Sequence, residues 1–342
     1  MRLSRRGLLA LGGSAAVAGG LVAHRAAALP AGSDEPVAVE VRAAPIANFS
    51  LAEKDRRRFG ALTFRSGVEL QARAEGFGGF SGLWRSPDGQ NLVAITDNAQ
   101  WFTARVATQE GRLAGLADAV LAPLLGQDGK PLRRTRAYDS EGLAIVGGTA
   151  YVSFERVHEV RRFDWGRDGV KARGAPLAVP PEAKRLPSNK SLEAIGVAPA
   201  RHLLAGAVIA IAERARGEDD PTQGFILTGP RRGSFDVARS DGFDVTDLVF
   251  LPSGEMLILE RRFSVLRGVA CRLRRVAPEA LRPGALVDGP VIFAADGTCQ
   301  IDNMEGVSLH TGPQGEIVLT LISDDNFSAL QRTLLLEFTL EE

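Results

Sequence analysis

The chain has 342 residues, with 41 basic and 41 acidic side chains and four histidines, and 45% of it is hydrophobic. That length admits one large domain with a sizeable core, or two modest ones. The charge balance argues against nucleic acid as a partner, because such proteins carry a basic stripe or patch.

The first 28 residues, "MRLSRRGLLALGGSAAVAGGLVAHRAAA", read as an export signal: basic residues, a weakly apolar run, then small residues suited to cleavage. Arg5-Arg6 followed by Gly7-Leu8-Leu9 fits the twin-arginine type, and cleavage is expected after Ala28. The stretch from Gly7 to Ala23 is too short and too rich in Gly and Ala for a membrane anchor, and no later segment is apolar enough to span. A periplasmic or secreted protein is expected. Loss of the signal removes four arginines and leaves 37 basic residues against 41 acidic ones, a net charge of −4. In that oxidising setting Cys271 and Cys299 are either a disulfide or two core thiols.

Residues 29–58 read as an N-terminal extension, in which "SLAEKDRRRF" (50–59) is at most a short helix, and 59–342 read as the domain. "FGALTFRSGVELQARA" (59–74) holds strand patterns that belong to no repeat. Five look-alike segments follow, anchored at Ser81, Glu141, Glu193, Asp247 and Glu305, at steps of 60, 52, 54 and 58 residues. Each anchor opens a short apolar run ("GLW", "GLAIV", "AIGVA", "LVFL", "GVSL") and a turn follows, three times as Pro-x-Gly-Gln/Glu. A second strand comes next in every copy, from "NLVAIT" (91–96) to "EIVLTLI" (316–322), and further strands trail it. Three or four short strands repeated at this period predict an all-β fold, a β-propeller of five or six blades whose ring is closed by pairing of the N- and C-terminal strands. A sandwich or two smaller β domains is the alternative architecture.

In a propeller, equivalent residues of the innermost strands sit at one height around the channel. Glu141, Glu193, Asp247 and Glu305 are therefore expected near one mouth, with Ser81 in the first copy. A second set, Asp97, Glu155, Glu213, Glu260 and Asp324, ends the second strands, and three of its members precede an arginine: Arg156, Arg214 and Arg261. Like charges this close raise one another's pKa unless a cation intervenes, and Ca²⁺, which takes 6–8 oxygen ligands, is such a cation. Salt bridges between blades are the competing reading of the same residues. On the first reading, Glu141, Glu193, Asp247, Glu305 and Asp324 are the candidate metal ligands. Glu155, Glu213 and Asp97 then complete the shell or act as general base, and Lys190, Arg156, Arg214 and Arg261 clamp an anionic substrate.

Other chemistry is weakly supported. "GGFSGL" (78–83) lacks the spacing of a nucleophile elbow, and the dispersed His158, His202 and His310 match no zinc motif. "RRTR" (133–136) would serve a phosphate only at the funnel rim.

Taken together, "FGGFSGLWRSPDGQNLVAITDNA" (77–99), "DSEGLAI" (139–145), "SNKSLEAIGV" (188–197), "FDVTDLVFLPSGEMLILERR" (243–262) and "DNMEGVSL" (302–309) resemble the phytase-like domain family, often described as having esterase-like activity. The resemblance covers roughly residues 59–340. It implies a β-propeller and distant kinship with calcium-dependent propeller phytases. The functional expectation is an exported, Ca²⁺-dependent hydrolase of phosphate or carboxylic esters, acting on a small anionic substrate. The alternative is a non-catalytic periplasmic binding or scaffold propeller.

Overall fold

Runs of β-branched and apolar residues make the strands here, and glycine makes the turns. In "PDGQ", "PSGE" and "PQGE" the third residue is Gly89, Gly254 or Gly315, with φ of 70°, 103° and 85°, a region that costs a side-chain-bearing residue but not glycine. The computed structural model describes residues 32–214, 217, 220–264 and 268–341. The export signal read at residues 1–28 lies outside them.

The strands form five sheets, which are the five blades of a β-propeller. Counting outward from the axis, blade 1 runs Phe80–Arg85, Asn91–Thr96, Gln100–Gln109 and Arg112–Pro123, with Val37–Val39 on its outer edge. Blade 2 runs Ser140–Val146, Thr149–Phe154, Glu159–Phe163 and Arg173–Leu177. Blade 3 runs Leu192–Val197, Val208–Ala212, Thr222–Ile226 and Gly233–Val237. Blade 4 runs Asp244–Phe250, Met256–Ser264, Gly268–Val276 and Val291–Asp296.

Blade 5 closes the ring. Its inner strands, Asn303–Thr311, Ile317–Asp324 and Thr333–Leu340, come from the C-terminal part of the chain. Its fourth, Leu62–Ala72, comes from the N-terminal part and pairs antiparallel with Thr333–Leu340. Val41–Pro45 adds a further outer strand. Residues 37–45, inside the stretch read as an extension, thus supply outer strands to two blades. That use of the chain leaves no sixth blade among the described residues. The stretch 50–59 is irregular apart from the short strand Arg58–Phe59; it forms no helix.

The core lies between blades, and five apolar clusters fill the five interfaces. The interface between blades 4 and 5 is sealed by Phe49, packed edge-on to Phe59 and Phe338 with ring centroids 4.8 and 5.0 Å away. Cys271 lies in that same core and Cys299 beside it, and both are free thiols. Burial pushes the Cys271 thiol up to about 12. Among the described residues no helix is long and apolar enough to cross a membrane.

Candidate metal centre

Each inner strand carries one extra residue at the same place. The register slips between Phe80 and Leu83, Ser140 and Leu143, Leu192 and Ala194, Val245 and Asp247, and Met304 and Gly306. A bulge bends the strand and re-aims the extra side chain. In blades 1, 2, 3 and 5 the bulge carries Ser81, Glu141, Glu193 and Glu305.

The small residue after the anchor is explained by the neighbouring blade. A Cβ on Gly306 would lie 2.8 Å from the Ser81 carbonyl oxygen, and one on Gly82 would lie 2.6 Å from the Leu143 amide. One on Gly142 would run into the Glu193 carbonyl. Each glycine lets an inner strand lie directly against the bulge of the following blade.

Blade 4 departs from the expected register by one residue. The extra residue is Thr246, and Asp247 stands where the other blades have Gly or Ala. Its carboxylate reaches into blade 5, accepting the Val307 amide at 2.8 Å and the Leu248 amide at 2.8 Å. The same slip applies on the second strand. The residue just past the partner of the pre-bulge residue is Asp97, Glu155, Glu213 and Asp324 in the other blades, and in blade 4 it is Arg261. Glu260 consequently faces away from the mouth and is held by Arg272 Nε at 2.6 Å and Arg274 Nη2 at 2.7 Å. A one-residue shift in a strand sends a side chain to the opposite face.

Two stations per blade therefore surround the mouth. The first set is Ser81, Glu141, Glu193, Thr246 and Glu305, and the second is Asp97, Glu155, Glu213, Arg261 and Asp324. Seven are acids and one is a base. Backbone bonds hold the second set in place: the amides of Asp97, Glu155 and Glu213 donate to the carbonyls of Gly79, Asp139 and Ser191 at 2.8–3.0 Å.

The electrostatics reflect this crowding. Burial raises the carboxyl of Asp97 to about 7, with Asp139 and Glu305 adding to it and a short hydrogen bond from Ser81 opposing. Burial, with Asp139, raises Glu155 to about 8. Glu305 is raised to about 7 by burial, against the pull of Arg261. Glu141, Glu193 and Asp324 are held well above the usual carboxylate range, first by burial and then by Glu193, Glu213 and Asp97 respectively. Asp247 is raised in the same direction by burial.

The cations are distributed unevenly. Arg156 Nε pairs with Asp139 at 2.6 Å, and its guanidinium covers the Tyr138 ring at 4.9 Å. Arg214 pairs with Asp244, which also meets Arg239 at 2.8 Å. Lys190 Nζ lies 3.6 Å from Glu213. Arg261 Nε lies 2.8 Å from Glu305, and its Nη2 lies 3.7 Å from Glu213. Among the described residues no ion pair reaches Asp97, Glu141, Glu155, Glu193 or Asp324.

One group of acids has the spacing of a metal site. Ligand oxygens of Asp139, Glu141 and Glu155 lie within 4.8 Å of one another. All are hard oxygen donors of the kind Ca²⁺ takes. Next to Asp97 in the chain, Asn98 is buried, with both amide atoms unpartnered among the described residues. Asp139, just before the strand and two residues before Glu141 in "DSE", was missed in the sequence. Two further neighbours were missed: His158 Nδ1 lies 2.6 Å from Ser191 Oγ, and the Ser191 amide donates to Glu155 at 3.1 Å.

No curated protein matches the chain. Two solved structures are similar to it at low identity. One is a chain of a nidogen/laminin complex, 13% identical over 77% of this chain and 87% of that one, with a TM-score of 0.38. The other is a putative oxidoreductase (glucose dehydrogenase) from Thermus thermophilus, 14% identical over 87% of this chain and 99% of that one, with a TM-score of 0.36. The Phytase-like family model, described as "Esterase-like activity of phytase", matches residues 75–327. That span holds every mouth station, and the chain belongs to the Phytase-like family.

Proposed function

We propose that this protein is an exported hydrolase of phosphate or carboxylic esters that works with a hard divalent cation, Ca²⁺ being the fitting choice. The observation that carries the reading is the Asp139–Glu141–Glu155 group, whose oxygens lie within 4.8 Å of one another, with one arginine, Arg156, paired to Asp139 and no ion pair to Glu141 or Glu155 among the described residues. Buried carboxylates in such a group need a positive charge to ionise together. Asp139, Glu141 and Glu155 would hold the cation, which supplies Lewis acidity toward an ester oxygen and charge balance for an anionic substrate. Asp247, engaged by two backbone amides, is left out of the ligand set.

The remaining roles fall to the chain's own groups. Asp97, held near 7, takes and returns a proton at neutral pH, where a general base is most effective. Ser81 orients its carboxylate by hydrogen bond. Lys190, Arg156 and Arg261 pair with acids at the mouth, where an anionic substrate would meet their charge, whereas Arg214 pairs with Asp244, which is none of the mouth acids. Export rests on the Arg5-Arg6 signal pattern and places the protein in the periplasm or outside the cell.

A second reading draws on the pairs of Arg156 with Asp139 and Arg261 with Glu305: a non-catalytic binding or scaffold propeller stapled by them. Hydrolysis of p-nitrophenyl phosphate and p-nitrophenyl acetate, with Ca²⁺ or with EDTA, separates the two. A Ca²⁺-dependent rate that disappears in Glu141→Gln, with the fold intact, supports the enzyme. Absence of hydrolysis together with a melting temperature indifferent to Ca²⁺ contradicts it.

A further inference from the structure

The second-strand station is acidic in blades 1, 2, 3 and 5 and basic in blade 4, where Arg261 stands. Its guanidinium lies between blade 3 and blade 5, 3.7 Å from Glu213 and 2.8 Å from Glu305. Its side chain is 27% exposed. The arginines that follow the second acids of blades 2 and 3 behave differently, since Arg156 and Arg214 turn to Asp139 and Asp244. A guanidinium does not lose its proton in proteins, so its charge is permanent. A divalent ion a few ångströms from it would be repelled strongly, since Arg261 is 27% exposed and poorly screened, whereas Arg156 beside Asp139 is 48% exposed and its charge is screened by solvent.

We propose that Arg261 is the protein's built-in cation, occupying the place a second divalent ion would take between Glu213 and Glu305. The mouth then admits one such ion, at Asp139–Glu141–Glu155. This rests on the cation reading above and adds to it a stoichiometry and a residue that sets it. Blade 4 does with a side chain what blade 2 does with an ion.

Calorimetric titration of CaCl2 into the EDTA-treated, dialysed protein tests it. Wild type is expected to bind one ion per chain, Arg261→Gln two, and Arg261→Lys one. In the wild-type background Glu155→Gln should weaken binding at least about tenfold, as loss of a ligand does. Glu305→Gln should leave it within about threefold, the scale of a remote, partly screened charge. This second pair reads the same claim should Arg261→Gln fail to fold. One ion bound by folded Arg261→Gln, two bound by wild type, or loss of the wild-type ion in Glu305→Gln would overturn the proposal while leaving a cation site in place. No binding by either wild type or Arg261→Gln would overturn it together with the proposed function.

Discussion

Glu155 and Glu260 sit in nearly the same phrase, "FER" and "LER", at the ends of second strands in blades 2 and 4. Their surroundings are opposite. Glu260 is fully buried between two arginines, with Arg274 making bonds to both of its oxygens at 2.7 and 2.9 Å. Glu155 faces Asp139 and Glu141, and its carboxyl is raised to about 8. One carboxylate is a finished structural bond, and the other is left in need of positive charge. The difference is one residue of register, which decides whether an acid faces the next strand of its own blade or the channel mouth.

The comparison breaks most visibly at Glu260. Glu260→Ala should destabilise the fold by about 3 kcal/mol, since removing one partner leaves buried charge behind, and Ca²⁺ should not restore it; melting with and without Ca²⁺ measures both. Glu141→Gln should do the reverse. The ion-free protein should melt no lower than wild type, because a repelling carboxylate is gone. The Ca²⁺ stabilisation, about 2.7 kcal/mol at a hundredfold excess over Kd, should vanish. If the two variants respond alike, the distinction between staple and site is wrong.

The pH dependence sharpens it. Asp97, Glu155 and Glu305 have folded values of about 7, 8 and 7, above their ordinary values of 3.8, 4.5 and 4.5. The folded state therefore holds protons that the unfolded chain releases. That contribution is fully present below about pH 4 and is lost as pH rises through 7 to 8. In EDTA the melting temperature should fall by several degrees between pH 5 and pH 8.5, and Ca²⁺ should flatten the slope. A flat profile in EDTA would mean these acids are already neutralised. The smallest effect is expected at Lys190, which is partly exposed and 3.6 Å from Glu213. Lys190→Met should cost about 0.5 kcal/mol with Ca²⁺ affinity unchanged, and a large loss of affinity there would move the site toward blade 3.

Much of the fold was legible because propeller blades repeat their punctuation. Apolar runs, Pro-x-Gly turns and second strands recur, and the pairing of "TLLLEFTL" with the N-terminal strand follows from the need to cover edges. What escaped was the bulge. Residue type does not mark where an extra residue enters a strand, so Asp247, an acid one position late, passed for the anchor, and Glu260 followed it. The residue directly after the anchor carried the missing signal. It is small after Ser81, Glu141, Glu193 and Glu305, as Gly82, Gly142, Ala194 and Gly306, whereas Asp247 is followed by Leu248. Glu141, Glu193 and Glu305 were readable because a following Gly or Ala makes room for the next blade. Asp139 opens the phrase "DSEGLAI" but precedes its anchor, and its proximity to Glu155 depends on strand pairing that no linear spacing reveals.

The most direct test of the central claim is anomalous diffraction from crystals soaked in a lanthanide, a hard oxygen-seeking cation that stands in for Ca²⁺. A single strong peak at the mouth, bounded by Asp139, Glu141 and Glu155, is predicted. Peaks confined to surface acids, with none at the mouth, would contradict it.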